Sequence, residues 1–278
     1  PLFFVISGYL HKQPNSMEAF VSSIRRKTVR LLVPYVSFYF LILTVLKIES
    51  NQPLSITLTD ITRLLLGGQN LGSGFAPLWF VTVLYLTQLA FSLLLLKVRN
   101  GKGVAAVIFS AYVLAYFDSV LSLSGRDIHF IWNADVALLA IGFYSIGYLL
   151  KRNKTSFDGR LLVICSLITC TAIGLDALGT IDYSLNMRSS RYNHFILDLL
   201  IPVAISVLII YLSHVLEKSG ISKYLGQIGK YSLSIMYLHL TLNIISDHFM
   251  PRNFLFVTII GVTVPILISK YFFETNYV

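Results

Sequence analysis

The stretch LLVICSLITCTAIGLDAL, residues 161–178, decides the class of fold. It holds one charged side chain, Asp176, and approaches the ~20 apolar residues that a helix needs to cross a bilayer. A segment in hydrocarbon has to satisfy its own backbone hydrogen bonds, so a single span of this length is an α-helix. The stretch therefore predicts a transmembrane helix.

The rest of the chain repeats this pattern. Hydrophobic residues make up 55% of the 278 residues, and charged residues only 13%, about half of their share in a soluble domain. Seven further apolar segments of similar length lie near 31–48, 78–96, 104–121, 134–150, 195–215, 231–248 and 253–273. We therefore predict an all-α, polytopic transmembrane helix bundle with eight full membrane helices, in a single domain over residues 1–278.

The chain opens on half a span. The ten residues PLFFVISGYL (1–10) would rise only about 15 Å as a helix, against a hydrocarbon core of about 30 Å. We expect this helix to begin upstream of Pro1, so that the domain is truncated at its N-terminus. A cytoplasmic N-terminus then requires one more helix, which gives ten in the intact protein.

Basic residues gather at alternate joints between the segments. The joints 11–30, 97–102, 151–160 and 217–230, together with Lys270, hold 16 of the 22 Lys and Arg. Because Lys and Arg in short loops mark the cytoplasmic side, we expect these joints and the C-terminus to be cytoplasmic. The pI of 9.5 then reflects membrane topology and contacts with anionic lipid headgroups, and nucleic acid is not an expected partner.

One histidine lies deep in the predicted membrane. His239 is nine residues beyond Lys230, roughly 13 Å into the bilayer, and an ionisable side chain at that depth is a functional candidate. Ser232 and Asn243 lie seven residues before it and four after it, so the three share a helix face. His239 and Ser232 are candidate catalytic residues. The alternative is a neutral imidazole that bonds to a neighbouring hydroxyl and fixes packing.

A run of bases precedes the segment at 31–48. Arg25, Arg26, Lys27 and Arg30 cover about one and a half helical turns, and Arg26 and Arg30 are i,i+4 neighbours. Arg25, Arg26 and Arg30 are therefore candidates for binding a phosphorylated cofactor at the cytoplasmic mouth. The alternative is a topology signal that meets anionic lipid.

Carboxylates gather on the other side of the predicted membrane. Asp135, Asp198 and Trp79 are candidate substrate-binding residues, because carboxylates and aromatic faces suit the hydroxyls and ring faces of a sugar. The alternative is that the Asp residues are solvated helix ends and Trp79 anchors the interface. The wider group comprises Asp118, Asp127, Asp176, Asp182, Asp247, Arg126, His129, Trp132, Arg188, Arg191, His194 and His248. No residues have metal-ligand spacing, and no disulfide is expected from Cys165 and Cys170.

Four stretches resemble, in order, the acyltransferase 3 family of integral membrane proteins. PLFFVISGYL (1–10) and RLLVPY (30–35) resemble the family's second and third helices, and PLWFVTVLYL (77–86) its fourth. LGQIGKYSLSIMYLHLTL (225–242) is similar to a late helix of the family. The resemblance covers nearly the whole chain and is closest to the fucose 4-O-acetylase-like and exopolysaccharide O-acetyltransferase branch.

The resemblance implies ten membrane helices in a bacterial inner membrane and O-acyl transfer, usually of acetyl from cytoplasmic acetyl-CoA. The implied acceptor is a hydroxyl of a sugar, polysaccharide or lipid-linked glycan, and membrane lipids are the other partners. Arg26 and Arg30 would contact the CoA phosphates or the acyl-transfer centre. Arg30 lies four residues before Pro34, whereas many relatives place their Arg three before. His239 and Ser232 match the His and Ser of the late helix.

The family's main catalytic His is expected on a first helix upstream of Pro1, which would leave this chain without part of its active centre. Two other functions fit the residues. A multi-pass glycan or lipid transporter or flippase would use His239 and the outer Asp residues as a proton path, although few Gly or Pro interrupt the segments. A membrane sensor or scaffold without catalysis is the third reading.

Overall fold

The computed structural model describes residues 1–124, 130–153, 155, 157–249 and 253–272. Within these residues the chain forms eleven α-helices, and strands β1 (Leu185–Asn186) and β2 (Arg191–Tyr192) pair as an antiparallel hairpin. The helices are α1 Leu2–Tyr9, α2 Met17–Glu49, α3 Leu58–Leu66, α4 Leu78–Lys97, α5 Gly101–Leu123, α6 Ala134–Arg152, α7 Gly159–Ala177, α8 Leu197–Glu217, α9 Ser222–Lys230, α10 Ser232–Phe249 and α11 Phe254–Phe272. The predicted all-α, polytopic helix bundle is confirmed.

Among the described residues, seven helices are long and apolar enough to cross a membrane: α2, α4, α5, α6 with the turn before it, α7, α8 and α11. The eighth predicted span corresponds to α10, a helix of 18 residues whose described side chains form an apolar stretch over Ser232–Ser246. We call the end of the bundle with the joints α1–α2, α4–α5, α6–α7 and α8–α10 the basic end, and the opposite one the acidic end.

The centre of the bundle is formed by α4 and α6. In each of them 61% of the most apolar part of the helix is buried, whereas in α7 the buried share is 6%. One core joins α1, α4 and α6 through buried side chains such as Phe4, Val83 and Phe143. A second core joins α2, α4 and α10, and includes Phe38 and Tyr237. Thus α2 and α10, which carry the candidate cofactor-binding and catalytic residues, share one core.

Contact between α1 and α6 depends on two glycines. A Cβ on Gly8 would lie 1.9 Å from the carbonyl oxygen of Tyr144, and one on Gly147 would lie 1.9 Å from that of Val5. Only glycine permits such a backbone approach, which is the usual role of small residues between membrane helices. Gly8, in the opening stretch PLFFVISGYL, is therefore a packing residue.

The basic run lies inside a helix, whereas the predicted segment began at residue 31. Ser16 caps α2 by accepting a hydrogen bond from the Ala19 N–H at 3.1 Å, and no Gly or Pro follows before Pro34. The 33 residues of α2 would extend about 50 Å, which exceeds a hydrocarbon core of about 30 Å. The first turns of α2 therefore project from the basic end.

Two short helices, α3 and α9, lie in joints for which the sequence predicted no helix. At the acidic end, α3 is fixed to α2 by a buried ion pair, in which the Lys47 ammonium donates to the Asp60 carboxylate at 2.7 Å. The Tyr39 hydroxyl also donates to the Asp60 carbonyl oxygen at 2.6 Å. At the basic end, α9 has no buried residue. Each has nine residues, too few to cross a membrane, so the hydropathy that predicts membrane helices does not indicate them.

Candidate functional site

Three arginines project from the basic end. Arg25, Arg26 and Arg30 lie on the first half of α2, and all three are exposed. The Arg26 guanidinium donates to Ser22 Oγ, one turn earlier, at 3.0 Å. Exposed guanidiniums on one helix can bind phosphate oxygens in a bidentate geometry. The predicted cofactor-binding residues are therefore accessible from the basic end.

Lys27 points the other way. Its ammonium donates to Ser92 Oγ of α4 at 3.3 Å, and next to it the hydroxyls of Thr28 and Tyr85 are hydrogen bonded at 2.9 Å. These two contacts between α2 and α4 fix the rotation of α2 about its axis. They therefore determine the face on which the neighbouring arginines project.

A buried histidine at the basic end was missed by the sequence analysis. His11 follows α1, is only 8% exposed, and its Nδ1 lies 2.8 Å from the Tyr144 hydroxyl. Burial, together with the charge of Lys27, lowers the pKa of His11 to about 4. The imidazole is therefore neutral at pH 7. The only sequence signal was its position directly after the apolar stretch.

His239 is half-buried on α10, and its own helix orients the ring. Nδ1 lies 2.8 Å from the Met236 carbonyl oxygen and 3.1 Å from that of Ile235. Because a carbonyl only accepts, this geometry assigns a proton to Nδ1, so that Nε2 is the ring nitrogen left for proton exchange. His239 and Asn243 both approach Gly261 of α11, in agreement with a shared helix face.

The candidate catalytic and cofactor-binding residues lie on different faces and at different depths. Tyr237 of α10 stacks on Phe38 of α2 with ring centroids 4.6 Å apart, and both helices run from the basic end. From this contact, Arg30 lies about 12 Å and the exposed Ser232 about 8 Å toward the basic end, whereas His239 lies about 3 Å beyond it. His239 follows Tyr237 by two residues, about 200° around the helix, so it points away from α2.

Asp198 is fully buried at the start of α8. Its Oδ2 accepts hydrogen bonds from the Tyr116 hydroxyl at 2.5 Å and from the His194 N–H at 3.0 Å. Within the described part of the chain, its Oδ1 is buried and has no hydrogen-bond partner. Asp198 therefore ties α8 to α5 and to the loop before it. A ligand would reach Oδ1 only if this packing opened.

Asp135 lies under the hairpin of β1 and β2. It is buried in the first turn of α6, and the Ser190 hydroxyl donates a hydrogen bond to its carboxylate. The neighbouring Tyr192 N–H donates to Ser119 Oγ at 2.8 Å. Burial raises the pKa of the Tyr192 phenol, and the nearby Asp135 raises it further. Asp135 and Asp198 thus come together around the hairpin, each in bonds that hold the fold.

A strained junction lies at the acidic end. Trp132 and Asn133 precede α6 with φ of 58° and 51°, in a region that non-glycine residues rarely adopt. They face Gly67 and Gly68, where Cβ atoms would lie 2.6 Å from the Trp132 ring and 1.9 Å from Asn133 Oδ1. Backbone strain of this kind often marks functional sites. No sequence pattern predicted it, because the two segments are far apart in the chain.

Trp79, the third candidate substrate-binding residue, is half-buried in the first turn of α4. Its ring meets Phe80 edge-on with centroids 6.2 Å apart, and it packs against the core of α1, α4 and α6. Three residues of the wider polar group, Arg126, Asp127 and His129, lie outside the described residues, as do the side chains of Asp247 and His248.

The geometry separates two chemistries along the bundle. The basic end presents exposed guanidiniums, and the interior holds the half-buried imidazole of His239. The acidic end carries buried carboxylates beside tyrosines and partly buried tryptophans. An anionic ligand suits the first region and a hydroxyl-rich ligand the last. A base between them can accept a proton from a hydroxyl.

Comparison with known proteins identifies the family of the chain. The family model of the acyltransferase 3 domain, described as an acyltransferase domain, matches residues 1–270. No curated protein and no solved structure matches the chain. The match extends over nearly all of the chain, including the helices that carry the arginines and His239. The chain therefore belongs to the acyltransferase 3 family and is a membrane acyltransferase.

Proposed function

We propose that the protein is an O-acyltransferase that moves an acyl group, acetyl in the simplest case, from acyl-CoA to a hydroxyl of a sugar. The acceptor is a polysaccharide or a lipid-linked glycan, as in the fucose 4-O-acetylase-like and exopolysaccharide O-acetyltransferase branch that the sequence resembles. The family match over residues 1–270 carries the proposal. The separation of bases and acids between the two ends supports the direction of transfer.

The donor binds at the basic end in this proposal. Arg25, Arg26 and Arg30 are exposed there, and their guanidiniums suit the phosphate groups of acetyl-CoA. Arg25 also borders a shallow, open space of about 450 Å³ along α2, together with Met17, Glu18, Val21 and Ser22. Since Lys and Arg mark the cytoplasmic side, the basic end and the C-terminus face the cytoplasm, in a bacterial inner membrane.

His239 supplies the proton transfer. Its Nε2 takes the proton of the acceptor hydroxyl while that oxygen attacks the thioester carbonyl carbon. The bond between this carbon and sulfur then breaks, and the CoA thiolate leaves with the proton returned by His239. Ser232, exposed at the start of α10, lies between the levels of Arg30 and His239 and is proposed to contact the donor.

The acceptor enters from the acidic end. At this end Asp135 holds the turn between β1 and β2, and Asp198 holds the loop that follows the hairpin, so we assign both the role of shaping the acceptor's entry. Trp79 offers an aromatic surface at the same level. Because both carboxylates already accept hydrogen bonds from the protein, their contribution is to position the loop before α8 rather than to bind every sugar hydroxyl themselves.

The test uses membranes that contain the full-length protein, radiolabelled acetyl-CoA and the cell's own glycans. Label in an extracytoplasmic or lipid-linked glycan, lost in a His239→Gln variant, is the expected result. Movement of glycan across the membrane without incorporation of label would overturn the proposal in favour of a transporter. Label in protein or phospholipid alone would contradict the acceptor class.

A further inference from the structure

A helix at the basic end leaves its whole apolar face uncovered. The residues of α9 and the one before it include Ile221, Tyr224, Leu225 and Ile228, which are 56%, 68%, 44% and 42% exposed. Their spacing of i, i+3, i+4 and i+7 places all four on one face of the helix. None of the nine residues of α9 is buried. The described part of the chain therefore leaves this face uncovered.

The charge on α9 has one sign. Lys223 and Lys230 lie on the face opposite to the apolar residues, and Lys218 lies in the turn before the helix. The sequence SKYLGQIGK contains no acid. A helix with an apolar face and a lysine-bearing polar face is the pattern that binds in the plane of a membrane surface.

The neighbouring helices place α9 at that surface. The membrane-spanning α8 ends at Glu217, and α10 begins at Ser232, directly after α9 and Tyr231. A nine-residue helix between two membrane helices has to lie at the level where both of them end. Anionic lipid headgroups at this level attract nearby lysines with about 1 kcal/mol each, which is about fivefold in binding per lysine.

The short helix at the acidic end, α3, differs from α9 in its balance of charge. The short α3 also exposes aliphatic side chains, Leu58 at 79% and Leu65 at 64%. However, α3 carries Asp60, whose carboxylate is held by a lysine of α2. The one acid of α3 is thus paired within the protein and its one base, Arg63, is exposed, whereas α9 has no acid and carries two exposed lysines, of which Lys230 lies over the Tyr231 ring at 5.6 Å.

We propose that α9 binds the anionic lipid leaflet at the basic end, and that this contact holds α10 and its His239 at the correct depth. Only Tyr231 separates the two helices, so the position of α9 along the membrane normal sets that of α10. His239 lies nine residues after Lys230, about 13 Å along the chain axis. The part of the inference that concerns activity rests on the proposed function, whereas the lipid contact does not.

The lipid contact is tested by fluorescence. The full-length protein, with Cys165→Ala and Cys170→Ser, receives a Tyr224→Cys substitution and an environment-sensitive label, and is placed in nanodiscs of phosphatidylcholine with or without phosphatidylglycerol. We expect phosphatidylglycerol to shift the emission to shorter wavelength and to shield the label from iodide. A label that is equally exposed, or equally shielded, in both lipids would overturn the proposal.

Matched charge reversals distinguish an effect of the lysines in and next to α9 from an effect of positive charge anywhere at the basic end. Lys218→Glu with Lys223→Glu should weaken the phosphatidylglycerol effect by about fivefold or more for each lysine. Lys97→Glu with Lys102→Glu, two exposed lysines at the same end but outside α9, should leave it unchanged. An equal loss in both pairs would refute a specific role for α9.

Activity provides a second readout. With radiolabelled acetyl-CoA, the protein should transfer acetyl faster in nanodiscs that contain phosphatidylglycerol, and the α9 charge reversal should abolish this stimulation. If no variant transfers acetyl in any lipid, the proposed function fails while the fluorescence result still decides the lipid contact. Transfer that does not respond to phosphatidylglycerol, despite a shielded label, would refute the coupling of α9 to α10.

Discussion

Replacing Gly147 by alanine should separate α1 from α6. The new methyl group would lie 1.9 Å from the Val5 carbonyl oxygen, and ordinary contact begins at 3.4 Å, so the backbones have to move apart by about 1.5 Å. The obstacle is backbone rather than a flexible side chain, so the strain cannot be relieved locally. Overpacking of a tight core costs about 1–3 kcal/mol, and we expect a loss near 3 kcal/mol here.

The assay is reversible unfolding of the purified protein in mixed micelles, followed by circular dichroism. Gly174→Ala is the matched control, because it lies in the membrane helix α7 and a Cβ there meets nothing within 4 Å. It should be neutral or stabilising by up to about 1 kcal/mol, since alanine is the better helix former. A Gly147→Ala variant within about 0.5 kcal/mol of the parent protein would refute the close contact.

The partner glycine provides a second check. Gly8→Ala introduces the same 1.9 Å clash, with the Tyr144 carbonyl oxygen, and should cost a similar amount. The double variant with Gly147→Ala should cost less than the sum, because one separation of α1 from α6 relieves both clashes. Additive effects would mean that the two glycines act at independent sites.

Three further predictions concern the ion pair and the proposed site. The hydrogen bond from the Lys47 ammonium lowers the pKa of Asp60 to about 2, so the ion pair should stabilise the fold above about pH 4 and lose this effect as the pH falls toward 2. Asp60→Asn should lower the free energy of unfolding at pH 7 by about 3–5 kcal/mol, and an unchanged free energy of unfolding would refute the pairing. An Arg26→Ala, Arg30→Ala double variant should raise the KM for acetyl-CoA by about tenfold or more, whereas the control Lys102→Ala should not. If the double variant and the parent protein bind acetyl-CoA with equal affinity, the arginines are not part of the donor site. His239→Gln should lower kcat by about 10²–10⁴-fold with unchanged unfolding, and full activity would exclude it as the base.

The class of fold could be predicted from sequence because the hydropathy of a segment depends only on the residues of that segment. Each of the eight predicted spans contains a helix in the structure, since a segment in lipid has no alternative that satisfies its backbone. The first residue of α2 could not be predicted in the same way. Its basic residues resemble a loop in composition, but the Ser16 cap and the absence of a helix breaker extend the helix to Met17.

The candidate site could be predicted only in part. The family motifs led to Arg26, Arg30 and His239, and depth alone singled out the histidine. His11 escaped notice, because its burial depends on α6 and its partner Tyr144 is 133 residues away in the chain. The orientation of His239 away from α2 was likewise hidden, since it depends on which face of α10 packs against Phe38.

The sequence by itself determined which segments are helical and apolar, at which joints the bases gather, and the family to which the motifs belong. These are properties of single segments, and the energy of placing a segment in lipid does not depend on its neighbours. Only the tertiary structure decided that Gly8 and Gly147 bring two backbones together, that Asp135 holds the turn of the hairpin, and that Asp198 ties α8 to α5. Such contacts depend on the rotation of each helix about its axis, which packing against distant residues sets.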